Sequence, residues 1–415
     1  MKRTKIKIIF VTRLFSGLID SVESGEWNPF GVPAIYKLWE KLNNLNYSAD
    51  ILFLCKTRKD SRKFKKITKM NFPDLRFNFY IIPFFGTRRK VNNLSRLNEF
   101  IQCIYFIKRL LKEKYDLLYT DRIHLKFAFI GSIFKIPTVV RFLGIANFKL
   151  FTDSIKYRIR SPFNYLVLKK RYSMIICTED GTPARHFFKK CLNKKTPFRI
   201  LLNGVDRYDN RKRNIDIRNK YLFIKEVPIF LFVGRLEKDK GGDEFIQSLI
   251  KLKKIYRSFY AIMICGGSDF TKYKQKIKDF SLLDQIKFEK AVPHELIHEY
   301  FKQTDVYVSI NKLGNLSNTV LEAIIHRKCI VMLNNDLDDH TDESTKAIIP
   351  ENVVIRIDRK NIVSDLTIKL SDLIENPEII SMYAKRMRKF SADILWSWDE
   401  RINYEIKLIK KIARQ

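Results

Sequence analysis

Residues 305–334 read DVYVSINKLGNLSNTVLEAIIHRKCIVMLN, two short apolar runs separated by a polar loop and a helical pattern. DVYVSI and KCIVMLN read as buried strands, bounded as strands are by polar turn residues. Between them Val320, Leu321, Ala323, Ile324 and Ile325 make the buried stripe of a helix, with Ser317, Asn318 and Thr319 where its N-cap belongs. A helix start offers free backbone N–H groups and the positive end of a dipole, a setting for an anion and above all for phosphate. Glu322, one turn in, is out of place beside an anion and instead reads as an acceptor for a hydroxylated neighbour such as a ribose. An ordinary capped core helix is the competing reading of this stretch alone.

The same strand–helix alternation runs through the whole chain. KIKIIFVT, ADILFLC, FNFYIIP, YDLLYT, PTVVRFL and SMIICT read as buried strands of the first half. Amphipathic helices lie between them; in one, Leu97, Phe100, Ile101, Ile104, Ile107 and Leu111 make a single apolar stripe. IFLFVG, FYAIMICGG, QIKFEKAV, DVYVSI, KCIVMLN and NVVIRI continue the pattern in the second half. Strands alternating with helices predict α/β architecture with two Rossmann-like doubly wound domains. The break falls near RILLNGVDRYDNRKRN, where an Asn-Gly turn precedes a charged segment. The expected division is 1–200, 201–394 and a terminal helix 395–415.

A chain of 415 residues exceeds one typical core, and 46% apolar residues suffice for folded domains. The six cysteines are scattered without a CxxC pair or a His-Cys spacing, so neither zinc nor a disulfide framework is indicated, which fits a reducing, cytoplasmic setting. The basic N-terminus has too short an apolar run for a signal peptide, and FAFIGSIFKIPTVV is interrupted by Lys135 and Pro137 before it could span a membrane. The net charge of +34 is unevenly placed: residues 1–200 hold 41 Lys/Arg against 14 Asp/Glu, residues 201–415 hold 38 against 31. A net +27 in the first half predicts a polyanionic partner for that half, nucleic acid or an anionic membrane surface.

In a doubly wound domain the ligand sits at the carboxyl ends of the strands. Three such ends stand out. FVGRLEKDKGGDEFIQSL (232–249) sets Arg235 and Lys240 beside Gly234, Gly241 and Gly242 ahead of a helix, two cations and an accessible backbone suited to a diphosphate. MICGGSDF (263–270) ends a strand on Gly266 and Gly267. The third is the loop before Asn318.

Taken together these resemble the C-terminal domain of retaining glycosyltransferases of the GT-B fold, family 4. The match comprises Asn203-Gly204-Val205-Asp206 at the boundary, Val233 to Gly241 as V-G-R-L-x-x-x-K-G, Gly266-Gly267, VPHELIHEYF, and Ser317, Asn318, Leu321, Glu322 and Ala323 as S-N-x-x-L-E-A. WSWDERINYEIKLIKK resembles the family's last helix, which returns to the N-terminal domain. The resemblance implies two Rossmann-like domains facing across a cleft and transfer of a sugar, with retention, from a UDP- or GDP-sugar. It implies Arg235, Lys240 and Glu322 as catalytic residues, the first two on the diphosphate and Glu322 on the ribose. It implies donor-binding positions Gly31, Asn203, Gly234, Gly266, Val292, Ser317 and Asn318. The nucleotide sugar is a substrate; no cofactor and no metal are expected.

The pattern departs from the family at Gly314, where many members carry the first Glu of E-x7-E, and at Leu143, where a His often precedes the strand-end Gly. Asp121 and His124, in YTDRIH, are stand-ins on the acceptor side, although a solvated His and a turn Asp is the plainer reading. Asp336, Asp338, Asp339 and His340 form an acidic loop; a solvated loop is favoured over a Mg²⁺ or Mn²⁺ site. The basic stretches CKTRKDSRKFKKITKM (55–70) and KYRIRSPFNYLVLKKRY (156–172) carry no nucleic-acid-binding motif. They fit a lipid-linked or surface-polysaccharide acceptor and a peripheral position at the inner membrane face, with Phe163 and Tyr165 expected in the core. A polyanion-binding protein and a metal-dependent transferase using residues 336–343 stay open as alternatives.

Overall fold

A computed structural model describes residues 6–55, 63–84, 92–145, 162–206, 215–267, 270–290 and 292–414, with positions 155 and 159. Two compact units emerge: Met1–Thr178, Ala184–Asn203 and Trp398–Gln415 form the first, Glu179–Pro183 and Gly204–Ser397 the second.

The first unit is built on an eight-stranded sheet. Its strands are β1 (Lys7–Arg13), β2 (Ser48–Leu54), β3 (Thr68–Phe72), β4 (Leu75–Ile82), β5 (Leu117–Asp121), β6 (Thr138–Phe142), β7 (Met174–Glu179) and β8 (Phe198–Leu202), in the order β3-β4-β2-β1-β5-β6-β7-β8. The pairs from β4 across to β7 are parallel, and β3 lies antiparallel on the edge of β4. Central strands such as KIIFVTR are apolar almost throughout because helices cover both faces. The terminal helix Trp398–Ile412 seals this core with Trp398, Ile402, Ile406, Ile409 and Ile412. The same helix buries Arg401 and Glu405 as an ion pair at 2.6 Å, and the Tyr119 hydroxyl donates to the other Glu405 oxygen.

Three placements in this unit depart from the sequence reading. β3 lies in a basic stretch that gave no strand signal, and β8 lies in the segment read as the boundary. The helix Asn92–Lys112, the direction of whose apolar stripe the sequence leaves open, keeps Ile101 and Ile107 half-buried. It buries Asn98, Gln102, Phe106 and Leu110 and turns Leu97, Phe100, Ile104 and Leu111 outward, with Phe100 61% exposed. Phe163, expected in the core, is 43% exposed.

The second unit holds six parallel strands: β9 (Ile229–Arg235), β10 (Tyr260–Gly266), β11 (Ile286–Glu289), β12 (Val306–Ser309), β13 (Cys329–Leu333) and β14 (Ile355–Ile357). Their order, β11-β10-β9-β12-β13-β14, is the 3-2-1-4-5-6 arrangement of the doubly wound nucleotide-binding fold. Among the described residues no helix is long and apolar enough to cross a membrane.

Candidate active site

Strand order places the site of the second unit. The chain runs outward from β9 to β11, then returns to β12 on the other side of β9, so the loops after β9 and β12 diverge and leave a crevice at their carboxyl ends. Arg235 ends β9 and Lys240 follows it; Ser317, Asn318 and Glu322 follow β12. The structure thus brings the first and third sequence motifs to one switch point. The Lys312 N–H, in the β12 loop, donates to the Asp239 carbonyl in the β9 loop at 2.8 Å. Gly241, at φ +79°, allows the close approach: a Cβ there would lie 2.4 Å from Ile310 Cγ1. The second motif borders the first, since the Leu236 N–H donates to the Gly266 carbonyl at 2.9 Å and the ladder pairs Gly266 with Arg235. A Cβ on Gly266 would meet nothing within 4 Å, and one on Gly234 only ordinary contacts with Phe232. Protein packing among the described residues does not require glycine at either position, so the backbone there is open to a ligand.

The cations are unequal. Arg235 is exposed and pairs with Glu237 at 2.7 Å. Lys240 is partly withdrawn from water, and burial, followed by the neighbouring Arg235 charge, holds its amine below the ordinary lysine value. Two like charges held together at a strand end favour a multivalent anion between them.

The β12 loop is fixed by Asn315, a fully buried residue that the sequence reading did not single out. Its Oδ1 accepts from Ser309 Oγ at 3.0 Å and from the Asn311 N–H at 3.2 Å. Its own N–H and Nδ2 donate to the two carboxylate oxygens of Asp342, each at 2.6 Å. Asp342 also accepts from Thr345 Oγ1 at 2.8 Å, and burial raises its carboxyl above the usual range. The acidic loop is therefore not uniformly solvated: Asp338 is exposed, whereas Asp342 is inside as a loop anchor. Among the described residues no group of three or more His, Cys, Asp or Glu side chains is gathered as metal ligands.

At the helix start Ser317 is the N-cap, its Oγ accepting from the Val320 N–H at 3.4 Å. Thr319 Oγ1, in the first turn of the helix, lies 2.9 Å from Ser317 Oγ and accepts from the Tyr307 hydroxyl of β12 at 2.9 Å, so a strand hydroxyl and a helix hydroxyl fix the cap. Glu322 follows, 7% exposed.

The segment Glu179–Pro183 packs on this unit. The Gly181 carbonyl accepts from the Asp342 N–H at 2.7 Å, and Ser344 Oγ donates to Glu179 at 2.7 Å. Burial pushes the Asp180 carboxyl up to about 6. Its charge is one of those acting on Lys240.

The remaining candidates belong to other elements. Val292 follows edge strand β11 and is half-buried. Asn203 and Gly31 belong to the first unit, Gly31 in a left-handed turn at φ +83°. Asp121 and His124 also lie there, at that unit's own switch point between β1 and β5. Neither is solvated, contrary to the plainer sequence reading: Asp121 accepts from Thr12 Oγ1 at 3.0 Å and the Arg13 N–H at 3.1 Å, with His124 Nε2 3.9 Å away. Asp121 ends β5, and His124 closes the short turn after it, its ring 5.7 Å from that of Phe127 in the helix that follows.

Two Rossmann-like α/β units, each built on a mainly parallel sheet, define the architecture of GT-B glycosyltransferases. Residues 214–349 match the family model described as Glycosyl transferases group 1, a region that holds all three motifs. An uncharacterised glycosyltransferase of Methanocaldococcus jannaschii is 22% identical over 267 residues, which are 63% of this chain and 64% of that relative's length. Among solved structures, sucrose-phosphate synthase of Thermosynechococcus elongatus superposes with a TM-score of 0.70 at 14% identity, covering 99% of this chain and 100% of the other. Anabaena HepE in complex with UDP superposes at 0.67 and 13% identity, covering 98% and 100%.

Proposed function

We propose that the protein is a retaining glycosyltransferase that moves a sugar from a UDP- or GDP-sugar to a lipid-linked or surface-polysaccharide acceptor. The observation that carries this is the pairing, at one switch point, of Arg235 and partly buried Lys240 with the Ser317-capped helix start. Departure of a nucleoside diphosphate builds charge on the β-phosphate oxygens, and cations already in place act most strongly on that developing charge. Arg235 and Lys240 neutralise it, the helix N–H groups hold phosphate, and Glu322 accepts from the ribose hydroxyls. The acceptor attacks the face the diphosphate leaves, and a leaving phosphate oxygen takes its proton, which gives retention without an enzymic nucleophile. The side-chain cations do the work that a divalent metal would do. HepE, crystallised with UDP, supports a nucleotide donor. The first unit, with its excess of positive charge, serves the acceptor and an anionic membrane surface at the cytoplasmic face.

Thermal shift against a panel of nucleotides and nucleotide sugars tests the reading. A ligand at a hundred times its Kd adds about 2.7 kcal/mol of stability. A shift with UDP or GDP compounds is expected; no shift with any of them, beside a shift with RNA, overturns it.

A further inference from the structure

The helix Asn92–Lys112 buries Asn98 and Gln102 beside Phe106 and Leu110 and leaves four large apolar side chains outside. Asn98 and Gln102 are 3% exposed, and Gln102 Nε2 donates to the Cys55 carbonyl at 3.1 Å, so the inward polar line is satisfied. Leu97, Phe100, Ile104 and Leu111 recur at i, i+3, i+7 and i+14 and form one outward stripe. Two further helices continue this face. Glu99, exposed on the first helix, pairs with Lys126 of the helix Leu125–Ile133, and Phe129 of that helix meets Phe163 of the helix Pro162–Lys169 at 5.6 Å. Phe163 and Leu166 of that helix are exposed, as are Ile155 and Ile159 ahead of it.

Charge says what covers this surface. Glu99 is the sole acid in the sequence of the three helices, and it pairs with Lys126. Lys126 stands 6.0 Å over the Phe163 ring, Lys169 5.6 Å over Tyr165 and Lys170 5.9 Å over Phe129, so cations are interleaved with apolar rings. Just beyond Lys170, Arg171 joins Lys195, Arg199 and Lys411 around a cavity of about 590 Å³ whose lining contains no acid. A second copy of this face would set cations against cations, and a nucleic acid would leave the apolar stripes uncovered. An anionic bilayer satisfies both: apolar side chains enter the headgroup–acyl boundary while lysines meet lipid phosphates.

We infer that this three-helix face of the first unit is the protein's docking surface for an anionic lipid bilayer. The inference rests on the proposed membrane role of that unit and moves its seat from the 56–69 basic window, of which residues 56–62 lie outside the described residues, to the helices Asn92–Lys112 and Pro162–Lys169.

The test is co-sedimentation of the full chain, without nucleotide, with vesicles of phosphatidylcholine alone or mixed with phosphatidylglycerol. Wild-type protein is expected on the mixed vesicles and not on the neutral ones. Phe100→Ser with Ile104→Ser, both outward and so neutral to folding by thermal melt, is expected to lower the bound fraction about tenfold or more. Replacing Lys63, Lys65, Lys66 and Lys69 by Gln is expected to lower it less. Equal binding to neutral vesicles, undiminished binding of the serine variant, a larger loss from the glutamine variant, or a lipid-free dimer that the serine changes dissociate would each overturn the inference. Melts with UDP and with GDP on the same samples separate the two claims: vesicle binding that behaves as expected with no shift from either nucleotide leaves the docking face standing and removes the donor site.

Discussion

The backbone of Gly314 lies against that of Asp180: a Cβ on residue 314 would stand 2.4 Å from the Asp180 carbonyl oxygen and 2.8 Å from the Thr182 nitrogen. The position where the resemblance leads one to expect a glutamate has no room for any side chain while this contact persists. Gly314→Ala is accordingly expected to destabilise by about 1–3 kcal/mol, the usual range for overpacking. Gly314→Glu should force the Asp180 segment away and cost more. Denaturant midpoints of the three proteins check this, and a Gly314→Glu protein as stable as wild type would refute the contact.

Removing either cation of the β9 loop should cut turnover without unfolding the protein. Arg235→Ala and Lys240→Ala are each expected to lower kcat by about 10²–10³, the scale seen when a preorganised charge is lost. Glu322→Ala should weaken nucleotide binding by about 1.5–3 kcal/mol. Near-normal kcat in the Arg235→Ala, Lys240→Ala double variant would sink the diphosphate assignment.

Proton linkage should report on Lys240. Its amine is held below the ordinary value by burial and by Arg235, so between the two values the unfolded chain binds more protons than the folded one. Its contribution to stability therefore rises with pH across that window. A bound diphosphate favours the charged amine, so nucleotide affinity should fall as pH rises through the folded value, with proton uptake on binding. Arg235→Ala should move that limb to higher pH. Calorimetry in buffers of different ionisation enthalpy measures the uptake; none in wild type at any alkaline pH would contradict the assignment.

The acidic loop should divide by burial. Asp338→Asn with Asp339→Asn is expected to leave transfer unchanged, and transfer should persist in excess EDTA. Asp342→Ala strands the Asn315 N–H, Asn315 Nδ2 and Thr345 hydroxyl, and should cost about 2–5 kcal/mol. Activity lost with EDTA and with the Asn pair would favour the metal-dependent alternative.

Strands buried on both faces were readable because they need nothing but continuous apolar residues; IFLFVG, YAIMICG and CIVML could be little else. β3 escaped because an edge strand is protected by charge: TKMNF follows a run of lysines and alternates exposed with half-buried positions. The stripe from Leu97 to Leu111 was legible as a stripe, but periodicity fixes a face without saying which way it points. Similarly, Arg235, Lys240 and Ser317 could be found because each sits in a local pattern at a strand end. Asn315, Asp342 and Asp180 could not. Their roles depend on contacts made across long sequence separations, and no local spacing records these.

The buried Arg401–Glu405 pair, with Tyr119 on Glu405, gives the chain an order of manufacture. The first sheet is nearly complete in sequence by residue 202, yet its last covering helix begins at Trp398. Roughly 200 residues must leave the ribosome in between, which at about 5–20 residues per second is on the order of 10–40 s. During that interval the nascent first unit presents the groove that Trp398, Ile402 and Ile406 will fill. The later-made second unit can close first, and a chaperone that shelters nascent apolar surface would have its work at the amino-terminal half.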